Sequence, residues 1–259
     1  MDFLSQITPV LLTWNEAPNL ERSLAPLGWA KDIVVVDSGS TDATRAILAR
    51  DARVRVFERA FDGHAAQWRF AVAETGIATP WVLRLDADYV LGAALIDELR
   101  ALQPADDIGA YRVAFDYCIG GRTLRASLYP PNTVLFRRGH ATPWQDGHTE
   151  RWRIEGRIAE LKGRIAHDDR KPVESWLAAQ ARYQKRERDK LLAADRATLR
   201  RRDRLRLRHW IAPPAVFLWA LFGRGLIFDG RAGLAYAYQR ALAETTLALY
   251  LLEGRQTNS

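Results

Sequence analysis

The chain has 259 residues, 48% of them hydrophobic, enough for one large α/β domain, or a domain with an appendage, around a buried core. Its 38 Lys and Arg against 31 Asp and Glu give a formal charge of +7, which points to an anionic partner: phosphate, phospholipid or nucleic acid. The single cysteine, Cys118, excludes an intramolecular disulfide and a cysteine-based metal cluster, fits a reducing cytosolic compartment and reads as a small buried hydrophobe.

Residues 1–6 carry no basic stretch leading into a long apolar run, so no signal peptide is expected. A first strand is predicted over 7–13, with Pro9 keeping its start out of mid-ladder, followed by a helix over 19–26. The run 33–37 is a second strand, after which Ser40, Thr41 and Asp42 supply N-cap chemistry for a helix ending near Arg50. Strand, helix, strand and helix follow over 54–58, 65–74, 81–86 and 92–102, which completes a doubly wound half. Residues 109–166 change character, with short strand candidates at 111–117, 122–128 and 133–137 and a turn at 129–132, and read as a mixed-sheet half. From about Val173 the pattern is helical; 182–208 is crowded with Arg and Lys before an apolar stretch opening at Trp210. The apolar run 215–222 is too short for a membrane span, and 234–252 is interrupted by Gln239, Arg240 and Glu244.

Two of these strands carry acids at their carboxyl ends, where open α/β sheets bind ligands: IVVVD ends in Asp37, and WVLRLD runs into Asp86-Ala87-Asp88. A carboxylate ending a buried strand needs donors, which a base or ribose could supply to Asp37. Asp86 and Asp88 flank one residue, so in an extended backbone they point to the same side and can converge on one divalent cation, or on a cation and a ribose. Asn15 and Glu16, after the first strand, read as base or ribose contacts, or as a turn with a helix N-terminal carboxylate. Together these features suggest a nucleotide-sugar site.

Thr13-Trp14-Asn15-Glu16, Val34-Val35-Val36-Asp37-Ser38-Gly39-Ser40-Thr41-Asp42, Leu85-Asp86-Ala87-Asp88, Leu135-Phe136-Arg137-Arg138-Gly139 and the later His167 resemble a family-2 glycosyltransferase. More narrowly, the chain is similar to the bacterial lipopolysaccharide-core β-glucosyltransferase group, in order over roughly residues 7–255. The resemblance implies a GT-A fold, a Rossmann-like mixed sheet with helices on both faces. It also implies a nucleotide diphosphate sugar donor, UDP-glucose or similar, a Mg²⁺ or Mn²⁺ ion and an inverting displacement. Donor contacts fall on Thr13, Asn15, Glu16, Asp37, Gly39, Gln67 and Asp86, and metal ligation on Asp86, Asp88 and His167, the last of which reads equally as a buried structural histidine. The chain departs from the family pattern with Tyr89 where a Glu often follows, and with Trp68-Arg69 where Lys-Asn usually follows the glutamine.

Inverting transfer needs one carboxylate or imidazole to accept the acceptor's hydroxyl proton. Residues 144–150 offer Asp146, His148 and Glu150; Asp146 comes first because Gln145-Asp146 occupies the place of the family's X-Glu-Asp motif, and Glu150 is the runner-up.

The Arg-rich stretch 200–208 abuts Phe217, Leu218, Trp219, Leu221 and Phe222, the composition of a helix lying on an anionic leaflet, or of a solvated charged helix packed on its own core. Nucleic acid is not an expected partner, since no nucleic-acid module motif interleaves with these charges. The expected organisation is a catalytic domain over 1–170, with a nucleotide-sugar half (1–105) and an acceptor half (106–170), and a basic, amphipathic helical, membrane-surface region over 171–259. The expected function is transfer of a hexose to a lipid-linked saccharide, such as lipopolysaccharide core, at the cytoplasmic face of the bacterial plasma membrane. A sugar-nucleotide nucleotidyltransferase would want a Gly-rich, basic loop after the first strand, where this chain has Thr13-Trp14-Asn15-Glu16. A noncatalytic membrane-surface scaffold would not need Asp37, Asp86 and Asp88 all at strand ends.

Overall fold

A computed structural model describes residues 2–146, 149–195, 197 and 199–256, with backbone alone at Thr149, Arg202, Arg255 and Gln256. The first half runs β1 (Ile7–Thr13), α1 (Ala17–Leu24), β2 (Ile33–Asp37), α2 (Thr44–Leu48), β3 (Val54–Glu58), α3 (His64–Ala73), β4 (Trp81–Asp86), β5 (Tyr89–Leu91) and α4 (Ala93–Ala101). Then come β6 (Ile108–Ile119), β7 (Arg122–Thr123), β8 (Asn132–Arg137), β9 (Ala141–Asp146), β10 (Thr149–Ile154) and β11 (Arg157–His167). The helical C-terminal part holds α5 (Val173–Ala193), α6 (Arg201–Arg206), α7 (Ala212–Leu218) and α8 (Gly230–Gln256).

The main sheet has the order β3-β2-β1-β4-β8-β6-β11-β5, with β7 beside β6, while β9 and β10 form a separate two-stranded ribbon. The four strands from β3 to β4 are parallel; β8 runs antiparallel to both neighbours, and β5 antiparallel to β11. This is an α/β fold of GT-A type, a Rossmann-like parallel half continued by mixed strands. Because side chains alternate across a strand, neighbouring residues of β1 and β2 feed opposite faces. Leu11, Ile33 and Val35 pack with Leu20, Leu24, Leu48, Leu95 and Leu99 from α1, α2 and α4. Val10, Val34 and Val36 pack with Trp68 and Ala71 of α3. Helices therefore cover both faces, as a parallel sheet requires.

Several boundaries differ from the sequence expectation. Helix α1 begins at Ala17 because Pro18 sits in its first turn, where no N–H is needed. Strand β6 is longer than 111–117, and 122–128 contributes only the two residues of β7. Strands β5, β9, β10 and β11 were not placed from sequence.

By contacts the chain forms two compact units, one of residues 1–121, 129–145 and 150–170, the other of 122–128, 146–149 and 171–259. In the second unit Leu191, Leu199, Leu247 and Leu251 form a small core. The basic stretch is not one charged helix face: α5 ends at Ala193, α6 begins at Arg201, and Arg206 is only 10% exposed, bound to Glu187 at 2.8 Å and Glu244 at 3.0 Å. Arg206 is an internal counter-ion and not part of a solvated basic patch. Among the described residues, no helix is long and apolar enough to cross a membrane.

Candidate active site

Strand β1 lies between β2 and β4, so the chain reverses its direction of sheet growth there and leaves a crevice at the carboxyl edge, the usual ligand position of open α/β sheets. Registers Thr13↔Asp37 and Leu12↔Asp86 bring the ends of the three strands level. The two loops beside the crevice are laced together. Asn15, the non-glycine residue at φ 52°, donates its N–H to Ser40 Oγ at 2.8 Å and accepts from Thr41 N–H at 2.8 Å through its side-chain oxygen. Asparagine tolerates this left-handed backbone better than most residues. Glu16 N–H donates to Thr44 Oγ1 at 2.7 Å, and Asp42 accepts from the N–H groups of Ala17 and Thr44. The Glu16 carboxylate accepts from Asn19 Nδ2 at 2.8 Å.

Asp37 is fully buried and its donors come from its own chain. Oδ1 accepts from Thr13 Oγ1 at 2.9 Å and Ser40 Oγ at 2.6 Å; Oδ2 accepts from the N–H groups of Gly39 at 3.0 Å and Ser40 at 2.8 Å. Gly39 makes this turn at φ 84°, which a side chain would strain. An Asp37→Ala change should therefore strip four hydrogen bonds from the crevice floor, at about 1.5–3 kcal/mol for each bond to a charged group before relaxation. We expect a urea midpoint shift equivalent to a loss of 2 kcal/mol or more, roughly, together with a tenfold or greater rise in donor dissociation constant. An unchanged midpoint would deny Asp37 this organising part.

Beyond Asp86, the turn Asp86-Ala87-Asp88 enters β5, where Tyr89 pairs with His167 of β11. That register sets His167 Nε2 2.9 Å from Asp88 Oδ2, and Asp168 N–H donates to the Asp88 carbonyl at 3.0 Å. Asp88 Oδ1 and His167 Nδ1 are both buried without a hydrogen-bond partner. Burial alone would lower the His167 pKa, but Asp88, Asp86 and Asp169 outweigh it and raise the value above the ordinary one. Tyr89, Tyr117 and Tyr129 wall the imidazole, with ring centroids 5.4, 4.7 and 4.7 Å away. The Tyr89 and Tyr129 hydroxyls bond each other, and burial pushes both phenols up. The exit of β11 is tied to α1: Asp168 accepts from Arg22 at 2.8 Å, and Asn19 Nδ2 donates to Asp169 at 2.9 Å.

Two carboxylates and an imidazole are a suitable donor set for Mg²⁺ or Mn²⁺, and a buried carboxylate oxygen lacking a donor is the kind of atom a cation satisfies. Among the described residues, no three His, Cys, Asp or Glu side chains already converge as a cation site. Asp88 and His167 form a pair, with Asp86 at the preceding strand end.

Gln67 is fully buried, and its amide donates to Ser38 Oγ and the Arg59 carbonyl, both at 2.9 Å, while accepting from Arg59 at 2.6 Å. It joins α3 to the ends of β2 and β3. Glu150 forms a buried ion pair with Arg84 of β4, whose guanidinium lies over Trp68 at 5.3 Å and Trp152 at 5.9 Å. Asp146 belongs to the helical unit and pairs with Lys190 of α5 at 2.8 Å. His148 lies outside the described residues. Sequence reasoning missed Arg84, the three tyrosines and the Asn19-Arg22-Asp168 tie; an arginine inside an otherwise apolar strand was the one available signal.

The profile of "Glycosyl transferase family 2" matches residues 9–152, more than half of the chain, including the carboxyl ends of β1, β2 and β4. The lipopolysaccharide core biosynthesis glycosyltransferase LpsC of Rhizobium meliloti is 35% identical over 140 residues, 51% of this chain and 51% of that protein. An uncharacterized glycosyltransferase of Rickettsia bellii is 35% identical over 112 residues, 42% of this chain and 37% of that one. The chain thus spans about half the length of LpsC and less of the Rickettsia protein. The crystal structure of S. aureus TarS residues 1–349 with UDP superposes with a TM-score of 0.43 at 14% identity, covering 97% of this chain and 92% of that one. With the family profile matched from β1 through β10, this chain belongs to glycosyl transferase family 2.

Proposed function

We propose that the chain is an inverting hexosyltransferase that takes its sugar from a nucleotide diphosphate donor, such as UDP-glucose, and gives it to a lipid-linked saccharide. The observation that carries this reading is the carboxyl-edge crevice, with Asp86 and Asp88 at its edge and a buried Asp88 oxygen left without a donor beside His167. The name of the R. meliloti relative supports an acceptor of the lipopolysaccharide-core class. An acceptor with a lipid end would place the enzyme peripherally at the anionic cytoplasmic membrane face.

In this reading the laced loops at Thr13, Asn15, Glu16, Asp37 and Gly39 hold a preformed floor for the nucleoside, while Gln67 fixes α3 beside it. Preorganisation matters because reactive alignment is otherwise purchased with entropy at the moment of binding. Asp86, Asp88 and His167 would hold a Mg²⁺ or Mn²⁺ ion together with diphosphate oxygens, a sharing that suits ions bound by few protein carboxylates. When bound, that ion supplies Lewis-acid stabilisation of the departing diphosphate. The acceptor hydroxyl loses its proton to a carboxylate as the sugar inverts, and we assign that part to Asp146. Glu150, in its ion pair with Arg84, is the second candidate.

A panel of UDP- and GDP-sugars, assayed for hydrolysis with Mn²⁺ and with EDTA, tests the reading. One donor should be turned over with metal and lose that turnover in EDTA. Hydrolysis of none, with no binding of UDP by calorimetry, would reject it.

A further inference from the structure

The helical unit displays an apolar surface that its own core does not use. Between α7 and α8, residues 219–229 divide cleanly: Ala220, Leu221 and Leu226 are buried, whereas Trp219, Phe222, Ile227 and Phe228 are 55, 61, 47 and 72% exposed. Four large apolar side chains thus project from one short connection whose inward positions are already filled. Gly225 and Gly230, at φ 69° and 59°, bend the chain on either side of Ile227 and Phe228. The connection is anchored from behind, since Asp229 is buried and accepts from the N–H and Nε of Arg125, whose guanidinium lies 5.1 Å from the Phe228 ring.

Along the sequence, the charges flanking this tip are almost all positive. From Arg208 to Ala243 the only acid is Asp229, already neutralised by Arg125, against Arg208, Arg224, Arg231 and Arg240. Arg224 and Arg231, which flank the tip, are exposed. Exposed aromatics bordered by arginines without competing acids complement an anionic lipid interface, where rings sit at the acyl boundary and cations meet headgroups. Four large apolar side chains exposed within residues 219–228 exceed the singly scattered hydrophobes that are normal on a soluble surface.

We infer that the connection between α7 and α8 is the element that enters an anionic phospholipid surface, with Trp219, Phe222, Ile227 and Phe228 inserted and Arg224 and Arg231 at headgroup level. This rests on the membrane-surface reading above, but moves the contact away from the basic stretch 200–208, in which Arg206 is occupied by Glu187 and Glu244.

The test is cosedimentation of the full chain with phosphatidylglycerol-phosphatidylcholine vesicles. Three proteins are compared: wild type, Trp219→Ser/Phe222→Ser/Phe228→Ser, and Arg200→Gln/Arg201→Gln. The triple variant should keep the wild-type circular dichroism and lose at least tenfold in apparent affinity, while the arginine variant loses less than threefold. In a Cys118→Ala background, bimane on Phe228→Cys should shift to the blue with these vesicles. Equal binding by wild type and triple variant, or a larger loss in the arginine variant, would overturn the inference while leaving the membrane reading standing. No sedimentation of wild type would remove both. A wild-type dimer in sedimentation velocity that the triple variant converts to monomer would reassign the surface to a second copy.

Discussion

Asp88→Ala is expected to reduce transfer by roughly a thousandfold or more, the equivalent of several kcal/mol of leaving-group stabilisation at about 1.4 kcal/mol per tenfold. The fold should survive, because the change deletes a buried oxygen that has no donor and breaks a single 2.9 Å contact with His167. Metal binding gives a readout independent of turnover. Titration of Mn²⁺ in the presence of UDP, followed by the loss of free-ion electron paramagnetic resonance signal, should show a site in wild type and at least tenfold weaker binding in the variant. Equal binding by the two proteins, or wild-type activity indifferent to EDTA, would deny Asp88 the proposed metal-binding part. His167→Ala should weaken the ion less, since a neutral imidazole contributes no charge.

The parts of the fold that were legible were those whose periodicity burial had made simple. Strands β1, β2 and β4 are covered on both faces, so they appear as mainly apolar runs, and the acids ending β2 and β4 were readable as a ligand edge. Strand β11 was missed although Arg157, Glu160, Lys162 and Arg164 stand among the apolar Ala159, Leu161 and Ile165: Glu160 to Ile165 alternates with period two, but the charges hid it. The distance between Asp88 and His167 depends on the pairing of the three-residue β5 with the end of β11, a long-range register that no local pattern announces. For Asp37 the need for donors was legible, but their source was not. The same motif that carries the aspartate also carries Gly39 and Ser40, which fold back on it and supply three of its four bonds. Within the basic stretch the burial of single residues was not legible: counting arginines does not tell which of them, like Arg206, faces two glutamates inside the helical unit.

Arg84→Met should strongly destabilise the unit that holds the main sheet. Arg84 is 3% exposed in the middle of β4, where it forms its ion pair with Glu150, donates to the Thr133 carbonyl at 3.2 Å and lies over two indole rings. Opposition of a buried guanidinium and carboxylate holds the arginine pKa above its ordinary value despite the desolvation that would lower it. Removing one partner strands the other charge, a loss of about 3–5 kcal/mol, against a total stability of about 5–15 kcal/mol for a typical domain. Glu150→Gln should cost a comparable amount for the mirror-image reason. In the double variant Arg84→Met/Glu150→Leu neither charge remains, and much of the loss should return, because well-packed apolar groups often replace a buried pair with little penalty. Urea unfolding of the four proteins completes the cycle, and its coupling term separates the pair from each residue's other contacts. If Arg84→Met unfolded at the wild-type midpoint, the pair would carry no stability. Activity measured on the restored double variant then divides the two parts available to Glu150. Turnover within about tenfold of wild type makes it the counter-ion of Arg84, whereas a stable protein lacking the roughly 10²–10⁴-fold contribution of a general base makes Glu150, in place of Asp146, the group that accepts the acceptor proton.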